Sequence, residues 1–323
     1  MDDKTAPPDD LDYRNPPGTR VTYQARQRAT DRTTWLHLAL HLPAFLLSLA
    51  LVLAAALVLE AWLGVPAWLP TALWTASGAL TFHRPSEQFL ARHLLRLHRP
   101  LPADLATLTP VWHEVTARAG VDGRQYELWI EESSDLNALA AAGHIVAVTR
   151  RALEQLPTTQ LAAVLAHELG HHVGGHAWSG LLGWWYGMPG RLAWRGLARA
   201  TPRLLRTARG ARYTSTTVSI LLAIGIWLTF TALTATYALP LLLLVLPYLT
   251  AAVSRRAELR ADAHAAVLGF GPALAQTLHG WSAHETGTPA TPGMTGLQVR
   301  LLSTHPDHRT RLHHLQPYLQ SGR

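Results

Sequence analysis

Apolar residues fall in long blocks rather than evenly along the chain. Leu36 to Leu59 is interrupted only by His37, His41 and Ser48 before Glu60 is reached. An α-helix needs about 20 apolar residues to cross a bilayer, and this stretch has that length. A second apolar stretch runs from Trp62 to Phe82, with Gly64-Val65-Pro66 and Pro70 near its start. The short interval between the two predicts a tight helical hairpin over residues 35–83, in a membrane or as a buried soluble pair. Ser219 to Val253 is apolar again, broken by Pro240 and Pro247. As one helix it would overshoot a hydrocarbon core of about 30 Å. Two short spans with a turn near Tyr237 to Pro240 fit better than one kinked span, so residues 218–253 read as a second hairpin.

Between these blocks the period changes. Tyr126, Leu128 and Ile130 alternate with Glu127, Trp129 and Glu131, which is strand periodicity. Leu136 to Ala142 and Ile145 to Thr149 read as two further short strands around Gly143. Pro157-Thr158-Thr159 supplies a helix start, and Leu161, Val164, Leu165 and Leu169 give that helix an apolar face. The expectation is a mainly α fold with a small β-sheet, in a domain divided between residues 84–177 and 254–323. Residues 1–34 are polar, with Pro7-Pro8 and Pro16-Pro17, and read as a disordered arm. The apolar run that follows starts too late and runs too long for the core of a signal peptide.

Composition sharpens the membrane reading. Hydrophobic residues make up 48% and charged residues 15%, lean in charge for a soluble protein. The net charge is +7 and rests almost wholly on arginine. Arg14, Arg20, Arg26, Arg28 and Arg32 precede the first hairpin, and Arg84, Arg92, Arg96 and Arg99 follow it. By the positive-inside tendency both flanks face the cytoplasm. Residues 178–217 hold Arg191, Arg195, Arg199, Arg203, Arg206, Arg209 and Arg212 with Trp184, Trp185 and Trp194 interleaved. That mixture suits an interfacial helix on anionic lipid, or a solvated helix near the membrane; no base-reading motif accompanies it, so no nucleic-acid partner is expected. There is no cysteine, so any metal must be held by His and carboxylate.

The chemistry centres on His167-Glu168-Leu169-Gly170-His171. Histidines four apart project from one face of a helix, one turn apart. Two neutral imidazoles can then bind Zn²⁺ while the adjacent Glu168 reaches the water that the metal activates. In a chain with 18 histidines the motif arises by chance with an upper bound of about 6%, so its context matters. In one large group of such enzymes a third ligand lies six residues after the second His, with Gly at the third. Gly174 fits the Gly, but the His position holds Ala177, and His176 is one residue out of register. His172 and His176 are expected to cover the helix end instead. The better third ligand is Glu258, with Asp262 one turn on to orient a ligand His. An ordinary charged helix face among Arg255, Arg256 and Arg260 is the competing reading. If Glu258 and His167 bind one ion, the apolar stretch between them crosses the membrane an even number of times, in agreement with a hairpin.

The ordered set of motifs resembles the HtpX-type membrane metalloproteases, relatives of the CAAX prenyl protease in the gluzincin group. The resemblance runs from Leu36 to Leu315. It is carried by the membrane hairpin, Asn137-Ala138-Leu139-Ala140, Gly143 to Thr149, Ala163 to His171, Ser254 to Asp262, and Thr304-His305-Pro306 with Arg311-Leu312. It implies a multi-pass membrane protein whose zincin-like protease domain faces the cytoplasm. It also implies one Zn²⁺ on His167, His171 and Glu258, and Glu168 as catalytic base. Asn137, Ala138, Leu139 and Ala140 would form an edge strand on which a protein or peptide substrate lies. By the same resemblance the C-terminal helix returns to the site, making His305 and Arg311 candidate oxyanion donors. For Arg311 the alternative is a salt bridge holding that helix, and for His305 a turn before Pro306. The implied function is endopeptidase action on membrane or misfolded proteins. The rival is a non-catalytic membrane scaffold or sensor that keeps the fold; the intact Glu168 favours the enzyme.

Overall fold

The computed structural model describes residues 32–133, 138–210, 239–285 and 306–321. The chain forms two compact units. One comprises Met1–Ala39, Ala76–Trp185 and Ala251–Arg323, the other Leu40–Thr75 and Tyr186–Thr250.

The first unit is built on helices around a four-stranded mixed sheet. Helix α1 (Arg32–Leu63) begins in it, and α2 (Trp68–Ser77) ends in it. A 3-10 turn at Gly78–Phe82 leads to α3 (Arg84–His93), then β1 (Leu97–His98), α4 (Pro102–Ala119) and β2 (Glu127–Glu131). The strands β3 (Ala138–Ala141) and β4 (Ile145–Thr149) precede α5 (Arg150–Gln155), α6 (Thr158–Gly174) and α7 (His176–Tyr186). The strand order is β1-β2-β4-β3; β2 and β4 are parallel, and the outer pairs are antiparallel. Thus β3, the expected substrate strand, pairs with β4 on one side and, among the described residues, ends the sheet on the other. The β3–β4 turn turns at Ala142, with φ 54°, and is held from α3 by the buried Glu87. Its carboxylate accepts the Gly143 N–H at 3.2 Å and meets His144 Nδ1 at 3.0 Å.

Core packing departs from the simple strand alternation. Ile130 faces the main core with Val146, Leu165, Leu169 and Leu315. Trp129, expected on the polar side of β2, is fully buried on the opposite face with Leu97 and Ile145, under the Arg99 guanidinium 4.3 Å from its ring. A sheet covered on both faces does not alternate apolar and polar. Helix α6 is buried along most of its length, and Gly175 (φ 81°) ends it in a left-handed turn. That conformation is cheap only for glycine, and it starts α7 in a new direction at His176.

The second unit carries most of α1 and of α2, together with α8 (Met188–Gly210). Among the described residues α1 alone is long and apolar enough to cross a membrane. The stretch expected as the second span of the first hairpin is divided. Helix α2 has 10 residues, about 15 Å, half a hydrocarbon core, and the 3-10 turn follows it. Chain reversal falls at the expected Gly64-Val65-Pro66, where proline withholds a helical hydrogen bond, and Phe45 stacks on Trp74 across the turn with ring centroids 5.7 Å apart. For residues 218–253 the first arm lies outside the described residues. Of the second arm, the described residues form α9 (Leu239–Ala265), a helix of 27 residues that runs on through Pro247 to Glu258 and Asp262. The apolar arm and the candidate ligands are therefore one continuous helix. A π-type turn (Ala266–Phe270) then leads to α10 (Gly271–Glu285), and α11 (His308–Ser321) closes the chain.

Candidate active site

Helices α6 and α9 meet where α6 has no side chain. A Cβ on Gly170 would lie 3.0 Å from Ala261 Cα and 3.2 Å from His264 Cβ. This contact brings His167 and His171, one turn apart on α6, against Glu258 and Asp262, one turn apart on α9. One atom each of His167, His171 and Glu258 lies within 4.8 Å of the others, so the three could hold a metal ion. His167 Nε2 and His171 Nε2 are 3.3 Å apart. Glu258 Oε1 is 3.3 Å from His171 Nε2, and Oε2 is 3.6 Å from His167 Nε2. Four ligands at about 2.0–2.1 Å around a tetrahedral ion stand about 3.4 Å apart. The separations and the two-imidazole, one-carboxylate donor set both fit zinc.

The next layer orients these groups. His167 Nδ1 meets Asp262 Oδ1 at 2.8 Å, which leaves Nε2 turned toward the other candidate ligands. Asp262 is fully buried and also accepts from Arg311, whose Nε lies 2.8 Å from Oδ2 and Nη2 2.6 Å from Oδ1. Burial by itself would raise the Asp262 carboxyl, but Arg311 and then His167 hold it low, at about 2. Burial by itself would lower the His167 imidazole, but the Asp262 and Glu258 carboxylates raise it above its ordinary value. A divalent cation held at Nε2 would compete with the proton there. Arg311 thus forms the salt bridge that ties α11 to the site. Two of its nitrogens serve Asp262, and Nη1 stands 4.0 Å from Glu258 Oε2.

Glu168 points to the sheet edge. Its Oε2 accepts the Ala140 N–H at 2.7 Å, which places the outward main chain of β3 directly beside the ligand cluster. Together they line a cavity of about 280 Å³. Ala138, Leu139 and Ala140 form one wall; Leu274 and Trp281 of α10 and Arg311 of α11 form another. Asn137 and His305 lie outside the described residues.

Two histidines behave differently from the expectation that they cover the end of α6. His172 turns inward, away from the ligands, and its Nε2 donates to the Ile145 carbonyl at 2.9 Å. Burial lowers it to about 4, so it is neutral and offers the helix dipole no charge. His176 does not join the group of candidate ligands, but it lines the cavity. Its Nε2 meets Thr33 Oγ1 at 3.0 Å, and Arg260 Nη1 donates to the same hydroxyl at 3.1 Å. Thr34 Oγ1 donates to the Gly174 carbonyl at 2.6 Å, so the first turn of α1 grips the end of α6. Thr33, Leu274 and Trp281 had no sequence signal. His176 had one, its nearness to the motif, although the counting of ligand spacing set it aside.

A helix bearing H-E-x-x-H, a carboxylate from a second helix and a sheet edge alongside together define a metallopeptidase site. Residues 102–318 match peptidase family M48, from the first residue of α4 into α11. The chain belongs to that family, and every residue lining the cavity lies within the match. Membership points to metallopeptidase activity on peptide or protein substrates. No curated protein matches the chain.

Proposed function

We propose that the chain is a membrane-anchored zinc endopeptidase of the HtpX type that hydrolyses peptide bonds of membrane or misfolded proteins. The convergence of His167, His171 and Glu258 from two helices carries this reading. Zinc, when bound, supplies a Lewis acid that acidifies water and polarises the scissile carbonyl. Glu168 takes a proton from the attacking water and passes it to the leaving amine. The hydrogen bond from Ala140 engages Oε2, so that Oε1 is the atom that handles the proton. Asp262 holds the His167 ring through Nδ1, and Arg311 holds Asp262. Arg311, through Nη1, and His305 are the candidate donors to the tetrahedral oxyanion.

Substrate lies extended against β3, with Asn137 to Ala140 contributing main-chain groups. Such strand addition asks little of the substrate's sequence, which suits unfolded clients. The length and apolarity of α1 support anchoring. The proposed topology is multi-pass with the site on the cytoplasmic face. Its support is the arginines that flank the apolar stretches and the need to bring α6 and α9 to one side.

Metal analysis and proteolysis test this. The purified chain should carry one zinc, Glu258→Ala should lose it, and Glu168→Gln should keep zinc but not cleave. Zinc held stoichiometrically by the Glu258 variant removes the third ligand, and undiminished cleavage by Glu168→Gln sinks the mechanism. Reporters placed after His176 and after Asp262 should both read cytoplasmic.

A further inference from the structure

Helix α8 has six arginines and no acidic residue over Met188–Gly210. Its described residues between Leu192 and Arg199 are all exposed, with Trp194 at 70%. A helix stretch so exposed is marginal in water, and like charges spaced i, i+4, as at 191, 195 and 199, weaken it further. At 100° per residue, positions 191, 195, 199, 203, 206 and 209 fall within about a third of the helix circumference. Positions 194, 197, 204 and 205, one Trp and three Leu, fall on the opposite side. The helix starts beside the apolar α1. The Gly190 N–H donates to Ser48 Oγ at 3.2 Å, and the Tyr186 ring stands edge-on to Phe45 with centroids 5.2 Å apart.

We infer that α8 lies on the headgroup layer of an anionic phospholipid membrane, its arginines on lipid phosphates and the Trp194 side in the acyl boundary. Guanidinium groups match phosphate oxygens in pairs, and an arginine-lined helix with an opposite Trp/Leu side suits an interface between charge and hydrocarbon. A nucleic acid offers the same phosphates but no layer for the leucine positions. The inference rests on the reading that α1 anchors the chain in a membrane.

The chain has no cysteine, so Trp194→Cys in the full-length protein takes a polarity-sensitive fluorophore at one site. The labelled protein is compared in nanodiscs of phosphatidylcholine and of phosphatidylcholine with phosphatidylglycerol. With phosphatidylglycerol the probe should shift to the blue and be quenched several-fold more by shallow spin-labelled lipid. Raised salt should reverse both effects, and adding Arg191→Gln, Arg195→Gln and Arg199→Gln should abolish them. A probe equally wet in both discs overturns the inference, as does a response that ignores the arginines, or one larger with an oligonucleotide than with anionic lipid. Uptake into discs tests the anchor separately. If the chain is excluded, the α1 reading fails, and the same comparison on vesicles of the two compositions still decides for or against α8.

Discussion

A methyl group on Gly170 of α6 would lie 3.0 Å from Ala261 Cα of α9, tighter than carbon atoms ordinarily pack between the two helices that carry the candidate ligands. The contact partner is the Ala261 backbone, which cannot rotate away. Gly170→Ala should therefore push α9 from α6 and spread His171 from Glu258. We expect a stability loss of about 1–3 kcal/mol by thermal unfolding. We also expect zinc content and cleavage to fall together. A variant with unaltered zinc affinity would show that this contact does not set the site.

Asp262 serves His167 and Arg311 at once, all three buried. Asp262→Asn keeps an acceptor for His167 but not the charge that neutralises Arg311. Its zinc affinity, read by chelator competition, should fall about 10–100-fold. Asp262→Ala leaves Arg311 buried without its partner, and should cost about 3–5 kcal/mol. Equal stability of Asp262→Ala and wild type would remove this account of α11.

Thr33 links α1 to the cavity through His176 and Arg260. Thr33→Val keeps the shape and removes the hydroxyl. Zinc content should be unchanged while kcat/KM falls about 2–10-fold, the worth of one hydrogen bond. Thr33→Ser should restore it. A Val variant as active as wild type would make the contact irrelevant to turnover.

His172 supplies a pH signature. Its buried imidazole is lowered to about 4, against an ordinary value of 6.5. The folded state therefore disfavours the proton, and the unfolded state binds it first. The resulting stability is present above about pH 6.5 and is lost progressively as pH falls toward 4. Denaturation curves between pH 7 and about 4.5 should show a flatter decline for His172→Gln, which can still donate to the Ile145 carbonyl. Parallel declines for the two proteins would assign the acid sensitivity to other groups.

Much of the site was legible because its signals are local. Spacing by four residues puts His167 beside His171 on any helix, and a start at Pro157-Thr158 with an apolar face made that helix readable. Strand β2 was legible by alternation, except at Trp129, where the second covered face of the sheet hid the pattern, and β3 and β4 were legible as short runs on either side of Gly143. His176 shows the limit of counting. Its register excludes it as the next ligand along the motif, but Gly175 ends the helix before it, and the residue lines the cavity all the same.

The sequence by itself determined the H-E-x-x-H helix, the long apolar α1, and the absence of any cysteine ligand. Each depends only on residue type and on spacing within a few turns. It also placed Glu258 and Asp262 one turn apart, but left them indistinguishable from a charged helix face. Tertiary structure decided that they meet His167, because the close packing of Gly170 on Ala261 brings two distant helices together. It also decided that Arg311 is bound to Asp262, and that His172 turns to the core while His176 turns to the cavity. Those outcomes depend on which surfaces pack, and packing is set by the whole core rather than by any one motif.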